Sequence, residues 1–117
     1  MIELLQPVLD DRVYSALLES VDETMTALLS RTVVDALYLN LETVHSIPRD
    51  EIPYKIETLC STLQKIFGSS GMSTISRAIA RKLFIKLGLT FPDGPPRTLP
   101  DYLEEAKIRN REGDILT

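Results

Sequence analysis

The stretch Leu63–Leu89, LQKIFGSSGMSTISRAIARKLFIKLGL, constrains the fold more than any other part of the chain. It reads as the end of one helix, a Gly/Ser joint, a second helix and a closing glycine. Ile75, Ile79, Leu83 and Leu87, with Ala80 and Phe84, fall on one broad arc at about 100° per residue, the period of an amphipathic helix. Arg77 and Arg81 lie one turn apart on the other side, and Ala78 and Ile85 sit between them and Lys82. A helix this apolar is expected in the middle of the molecule. Gly88 closes it, and Leu89 supplies the hydrophobic contact that follows such a cap.

The rest of the chain has the same helical character. Asp10 and Asp11 suit an N-cap and first turn, and Val13, Leu17 and Leu18, with Tyr14 alongside, supply a buried face. Pro7 interrupts the apolar segment before them. Ser20 with Glu23 matches a capping box and predicts a second helix start. A break is expected near Ser30–Thr32. Between Thr32 and Val44, eight of thirteen residues are apolar. That is too many for a single stripe and predicts a second central helix. Pro48 and Pro53 interrupt the pattern, with Pro53 placed at the first turn of a helix that Gly68 ends. Thr98 or Leu99 caps a last helix with Pro100 in its first turn. Its apolar stripe of Leu99, Tyr102, Leu103 and Ala106 is narrow. Pro92, Gly94, Pro95 and Pro96 precede it and extend neither neighbour.

No segment alternates as a strand does, so the expected fold class is all-α. It is a single-domain bundle of five or six helices, with the core in 1–91 and a Pro-rich linker plus helical arm, weakly docked, in 92–117. Leu37, Leu41, Leu63, Phe67, Ile79, Leu83 and Phe84 are the expected core.

Several function classes are disfavoured by composition. The net charge is −4, which offers nucleic acid no overall attraction. No apolar run approaches the roughly 20 residues that span a bilayer, and the first residues are acidic where a secretory leader is basic. Neither a membrane nor a targeting segment is expected, and the cytoplasm is the expected compartment. Cys60 is the only cysteine, so neither an intrachain disulfide nor a cysteine zinc cluster is available. The acidic pairs Asp10–Asp11, Asp22–Glu23 and Asp50–Glu51 lack metal-ligand spacing, and neighbours on a helix face apart.

The candidate sites are few. Gly68, Ser69, Ser70 and Gly71 have the composition of a small anion cradle at a helix start. They lack the Lys-Ser/Thr of a P-loop and read first as a C-cap followed by a serine N-cap. Arg77, Arg81, Lys82 and Lys86 make the densest basic group and are the candidate contact for a partner or for nucleic acid. Asp101, Glu104 and Glu105 are expected to neutralise the Arg77/Arg81 edge. His45 and Cys60 carry no catalytic arrangement, and Cys60 shares the apolar face of Leu59 and Leu63. No catalytic, metal or cofactor residue is expected.

Leu63-Gln-Lys-Ile-Phe-Gly-Ser-Ser-Gly through Arg81-Lys-Leu-Phe-Ile-Lys-Leu-Gly-Leu carries a resemblance. Its Leu-x-x-Ile-Phe-Gly turn, small-residue joint and Leu-Phe-x-Lys-Leu-Gly-Leu ending resemble the small archaeal helical domains of the Nitrosopumilus output domain family. The upstream Tyr38-Leu-Asn-Leu-Glu and the Ile-Pro segment resemble that family's earlier helix. The likeness spans about residues 13–89. It implies a stand-alone or fused regulatory output domain, and it brings neither catalytic residues nor a cofactor. The expected function is therefore a non-enzymatic signalling-output or interaction module that binds a protein partner or itself. A homodimer is the expected self-association, through Met1–Leu9, Tyr14 or the last helix. The alternative is a nucleic-acid-associated regulator using the basic edge of the 70–87 helix. A small enzyme around Cys60 and His45 is the third and weakest class.

Overall fold

The apolar periodicity produces four α-helices in a computed structural model that describes the backbone of residues 2–116 and the side chains of residues 10–112. No strand occurs among the described residues. The helices are α1 (Ile2–Leu28), α2 (Arg31–His45), α3 (Ile56–Lys86) and α4 (Leu99–Leu116), and a short 3-10 helix (Arg49–Lys55) leads into α3. The all-α class holds, with four helices in place of five or six.

Two expected boundaries dissolve into α1. Its backbone runs unbroken past Pro7, Asp10, Asp11 and Ser20. The hydroxyl of Ser20 does not cap a new helix; it donates to the Ala16 carbonyl one turn back, at 2.7 Å. Asp10 is not an N-cap either, because its carboxylate is taken by Arg111 of α4, 2.9 Å from Nε. Val13, Leu17, Val21 and Met25 then form one buried stripe, four residues apart, against α3.

The break after α1 falls where expected. Ser30 is extended and its side chain accepts the Val33 N–H at 3.2 Å, which satisfies one free donor of α2. Helix α2 is not central. It packs mainly on α1 and the 3-10 helix and buries only Val34, Leu37 and Leu41. Val33, Leu39 and Val44 are exposed because the surplus apolar residues lie outside the arc that faces α1.

Pro53 lies inside the 3-10 helix and not at the start of α3. Helix α3 is broken where the glycine predicts. Gly68 has φ 79° and ψ 176°, a region open essentially to glycine alone. A Cβ on Gly71 would stand 2.6 Å from that of Phe67, so a second glycine lets the two halves approach. The bend leaves Phe67 half-buried where full burial was expected; Leu63, Ile79, Leu83 and Phe84 are buried as expected. Ile85, also apolar, points outward at 74% exposure. The end of α3 is a Schellman motif: Gly88 N–H donates to Ile85 O at 3.0 Å and Leu89 N–H to Phe84 O at 2.8 Å.

Helix α4 corrects the expectation of weak docking. Thr98 caps it by accepting the Asp101 N–H at 3.2 Å. Leu99, Tyr102, Leu103 and Ala106 all enter the same core as α1 and α3. Lys107 donates to Tyr14 Oη at 3.1 Å, and Arg12 donates to Asn110 Oδ1 at 3.2 Å. The Asn110 Nδ2 is buried without a partner among the described residues. No helix among the described residues is long and apolar enough to cross a membrane.

Candidate functional site: a cleft beside an arginine–aromatic face

The four basic residues singled out on the 70–87 helix do not form one patch. Lys82 Nζ lies 3.3 Å from Glu23, and Lys86 Nζ lies 3.0 Å from Glu23 and 3.3 Å from Glu19. These contacts face α1. The hydrogen bond between them holds the Lys86 ammonium above its ordinary range and the Glu23 carboxyl below the usual carboxylate range.

Arg77 and Arg81 face the other way, toward the Pro-rich segment. Their guanidinium carbons lie 5.9 and 4.7 Å from the centre of the Phe91 ring. Phe91 packs edge-on to Phe84 at 5.5 Å and against Tyr102 at 5.0 Å. Two further arginines reach this cluster from the tail. Arg97 lies over Tyr102 at 5.1 Å and Arg109 over Phe84 at 5.7 Å. Four guanidiniums therefore surround three rings, and each stacked cation gains about 0.5–1 kcal/mol at exposed sites.

The expected neutralisation of the Arg77/Arg81 edge by Asp101, Glu104 and Glu105 does not occur. Glu105 pairs with Arg97 at 2.7 Å and Arg109 at 3.4 Å, not with Arg77 or Arg81. Glu104 pairs with Lys107 at 3.1 Å. Arg77 and Arg81 have no carboxylate within ion-pair distance among the described residues. Sequence reading missed Arg97 and Arg109 because they lie beyond Pro92–Pro96, in what read as a separate arm. The signal that could have found them is the same residue type recurring on either side of Tyr102, just before the tail helix and within it.

Arg77 also lines a cleft of about 750 Å³ between the two halves of α3 and the start of α4. Leu99 and Ser76 are buried in its wall, Cys60 and Met72 are half-buried, and Ser73 is exposed at its edge. Among the described residues no aromatic ring lines it. Glu57, Pro100 and Asp101 line both this cleft and a smaller hollow of about 320 Å³ beside Tyr54.

Burial pushes the Cys60 thiol up, against a weaker opposing contact with Ser76 Oγ at 3.9 Å. That favours the unreactive thiol over the thiolate. His45 ends α2 and makes no side-chain hydrogen bond among the described residues. At the Gly68–Gly71 joint, Gln64 Nε2 donates to Ser69 Oγ at 3.3 Å and Thr74 Oγ1 donates to the Ser70 carbonyl at 3.0 Å. No group of three metal-ligating side chains occurs among the described residues.

Comparison with family models, with curated proteins and with solved structures finds no match to this chain.

Proposed function

We propose that the protein is a non-enzymatic regulatory module that works by binding a protein partner, in the manner of the archaeal signalling-output domains that Leu63–Leu89 resembles. One observation carries this reading. Arg77 and Arg81 are fixed on an aromatic cluster, lack carboxylate partners among the described residues, and stand beside an apolar cleft. Preordered cations next to an apolar hollow suit recognition, because little side-chain freedom is lost on binding. The position of Cys60 also supports the reading, since a thiol raised by burial is a poor nucleophile.

The alternative, nucleic-acid association through the 70–87 helix, keeps Arg77 and Arg81 but has Lys82 and Lys86 committed to α1. A photo-crosslinking residue in place of Ser73, used in living cells, separates the two. Discrete adducts to another protein are expected. Adducts to nucleic acid alone favour the alternative, and no adduct from Ser73 or from a second probe at Arg81 sinks the interaction reading.

A further inference from the structure

We propose that the cleft and the arginines beside it form one docking site for an acidic peptide segment that carries an apolar anchor side chain. The proposal rests on the interaction-module reading and names the chemistry of the partner.

Arg77 belongs to both halves of the site. It lines the cleft, and it shares the Phe91 ring with Arg81, one helical turn away. A ligand with more than one anionic group along a short length can give each guanidinium its own partner. A ligand that also fills the cleft must carry an apolar group next to them. The hollow lies within the roughly 300–1,000 Å³ common for ligand sites, and Met72, Leu99 and Cys60 give it an apolar wall. Glu57 and Asp101 in the lining repel an acidic group inside the cleft, so the anchor enters it while the carboxylates stay on the Arg77/Arg81 side.

The same observations weigh against other ligands. A nucleic-acid strand has the anions, but its bases need rings to stack on, and none lines the cleft among the described residues. A fatty acid has the apolar chain but only one carboxylate for two arginines. An acidic peptide with an embedded apolar residue has all three features.

The test is a titration of the intact protein by fluorescence anisotropy at low salt. The probes are a fluorescein-labelled peptide of glutamates around a central Leu-Phe pair, polyglutamate of the same length, a random-sequence DNA duplex and decanoate as a competitor. The anchored peptide is expected to bind about tenfold more tightly than polyglutamate, and to weaken steeply as salt is raised. Arg77→Gln with Arg81→Gln, and separately Ser73→Glu, are each expected to weaken it at least about fivefold without moving the thermal transition, while Lys82→Gln leaves it unchanged. These are surface or half-exposed positions, so the fold survives the changes. Equal binding of both peptides, tighter binding of the duplex, full displacement by decanoate, equal loss with Lys82→Gln, or no binding overturns the proposal. A protein adduct from Ser73 in cells alongside failed peptide binding leaves the module reading standing and removes only this partner chemistry.

Discussion

Helices α2 and α4 are of similar length, 15 and 18 residues, and hold to the molecule in opposite ways. Helix α2 is dense in apolar residues, yet leaves Leu39 61% and Val44 65% exposed. Helix α4 has a thin apolar stripe, yet Leu99 and Tyr102 are 1% and 2% exposed. The difference lies in the number of neighbours and not in the count of apolar side chains. Helix α4 lies against both α1 and α3, so a narrow stripe is covered from two directions. Its polar flanks are also tied to other elements, by Arg109 to the Thr90 carbonyl, Lys107 to Tyr14 and Arg111 to Asp10. Helix α2 meets mainly α1 and the 3-10 helix, and its polar ties converge on Asp22. That carboxylate accepts from Tyr38 Oη at 2.9 Å and lies 3.7 Å from Arg31 and 3.5 Å from Arg49. Composition measures what a helix can bury; the fold decides what it does bury.

The sharpest way to break this comparison is to remove α4. A chain ending at Phe91 loses Leu99, Tyr102, Leu103 and Ala106 from the core and uncovers Phe84. Fully burying each of the larger side chains is worth about 1.5–3 kcal/mol, and the total rivals the entire stability of a domain this size. The truncated chain is expected to lose its cooperative thermal transition and to bind a hydrophobic dye. A native-like melt would show α4 to be a dispensable arm and reverse the contrast with α2.

A smaller effect probes the tie of α2 to α1. Burial, and then the hydrogen bond to Asp22, push the Tyr38 phenol up to about 12 from an ordinary 10. The folded protein therefore holds this proton at pH values where the unfolded chain has released it, and stability falls as pH rises from about 10 to about 12. The side chain is partly accessible, so the loss is on the order of 1–2 kcal/mol after screening by solvent. Urea unfolding across this range should show the decline in the native protein, less any general alkaline slope, and a flatter profile in Tyr38→Phe. An identical slope in both would remove Tyr38 as the titrating tie.

How far the sequence reveals these features depends on the range of the interaction. Caps and breaks set by nearest neighbours were legible: Ser30 before α2, Gly68 in α3, Gly88 after it and Thr98 before α4 each act through bonds a few residues away. Ser20 misled for the same reason, since its capping pattern is identical to one in which the hydroxyl bonds back to Ala16. Long-range placement was not legible. Asp10 looks like a helix start until Arg111 is folded against it, and Arg77 looks grouped with Lys82 until α1 and Phe91 draw them to opposite sides. Half of the candidate site was visible as Arg77 and Arg81. The cleft was not, because its walls come from residues 57–77 and 96–101, brought together by α4.

The turn that ends α2 gives a change of opposite sign. Ser46 has φ 58° and ψ 36°, a left-handed residue without glycine's freedom. The left-handed region costs a non-glycine residue roughly 1–2 kcal/mol, partly offset by the greater entropy glycine loses on folding. Ser46→Gly is therefore expected to stabilise the protein by about 0.5–1 kcal/mol and to raise the melting temperature by a few degrees. Destabilisation would mean that Ser46 makes a contact worth more than its strain, and that α2 is held more firmly at this end than its neighbours suggest.

The smallest expected effect lies on the outer face of α2 itself. Leu39 is exposed, and Leu39→Gln replaces it with a residue of similar helix propensity and comparable length. The substitution removes no buried contact, so the stability change should stay within about 0.5 kcal/mol. The same change at a covered position, Leu103→Gln in α4, would place an amide in the core and cost several times more. Chemical denaturation of the two variants side by side therefore measures the contrast directly. If Leu39→Gln costs as much as Leu103→Gln in the isolated protein, the outer face of α2 is covered in solution, and the peripheral placement of α2 is wrong.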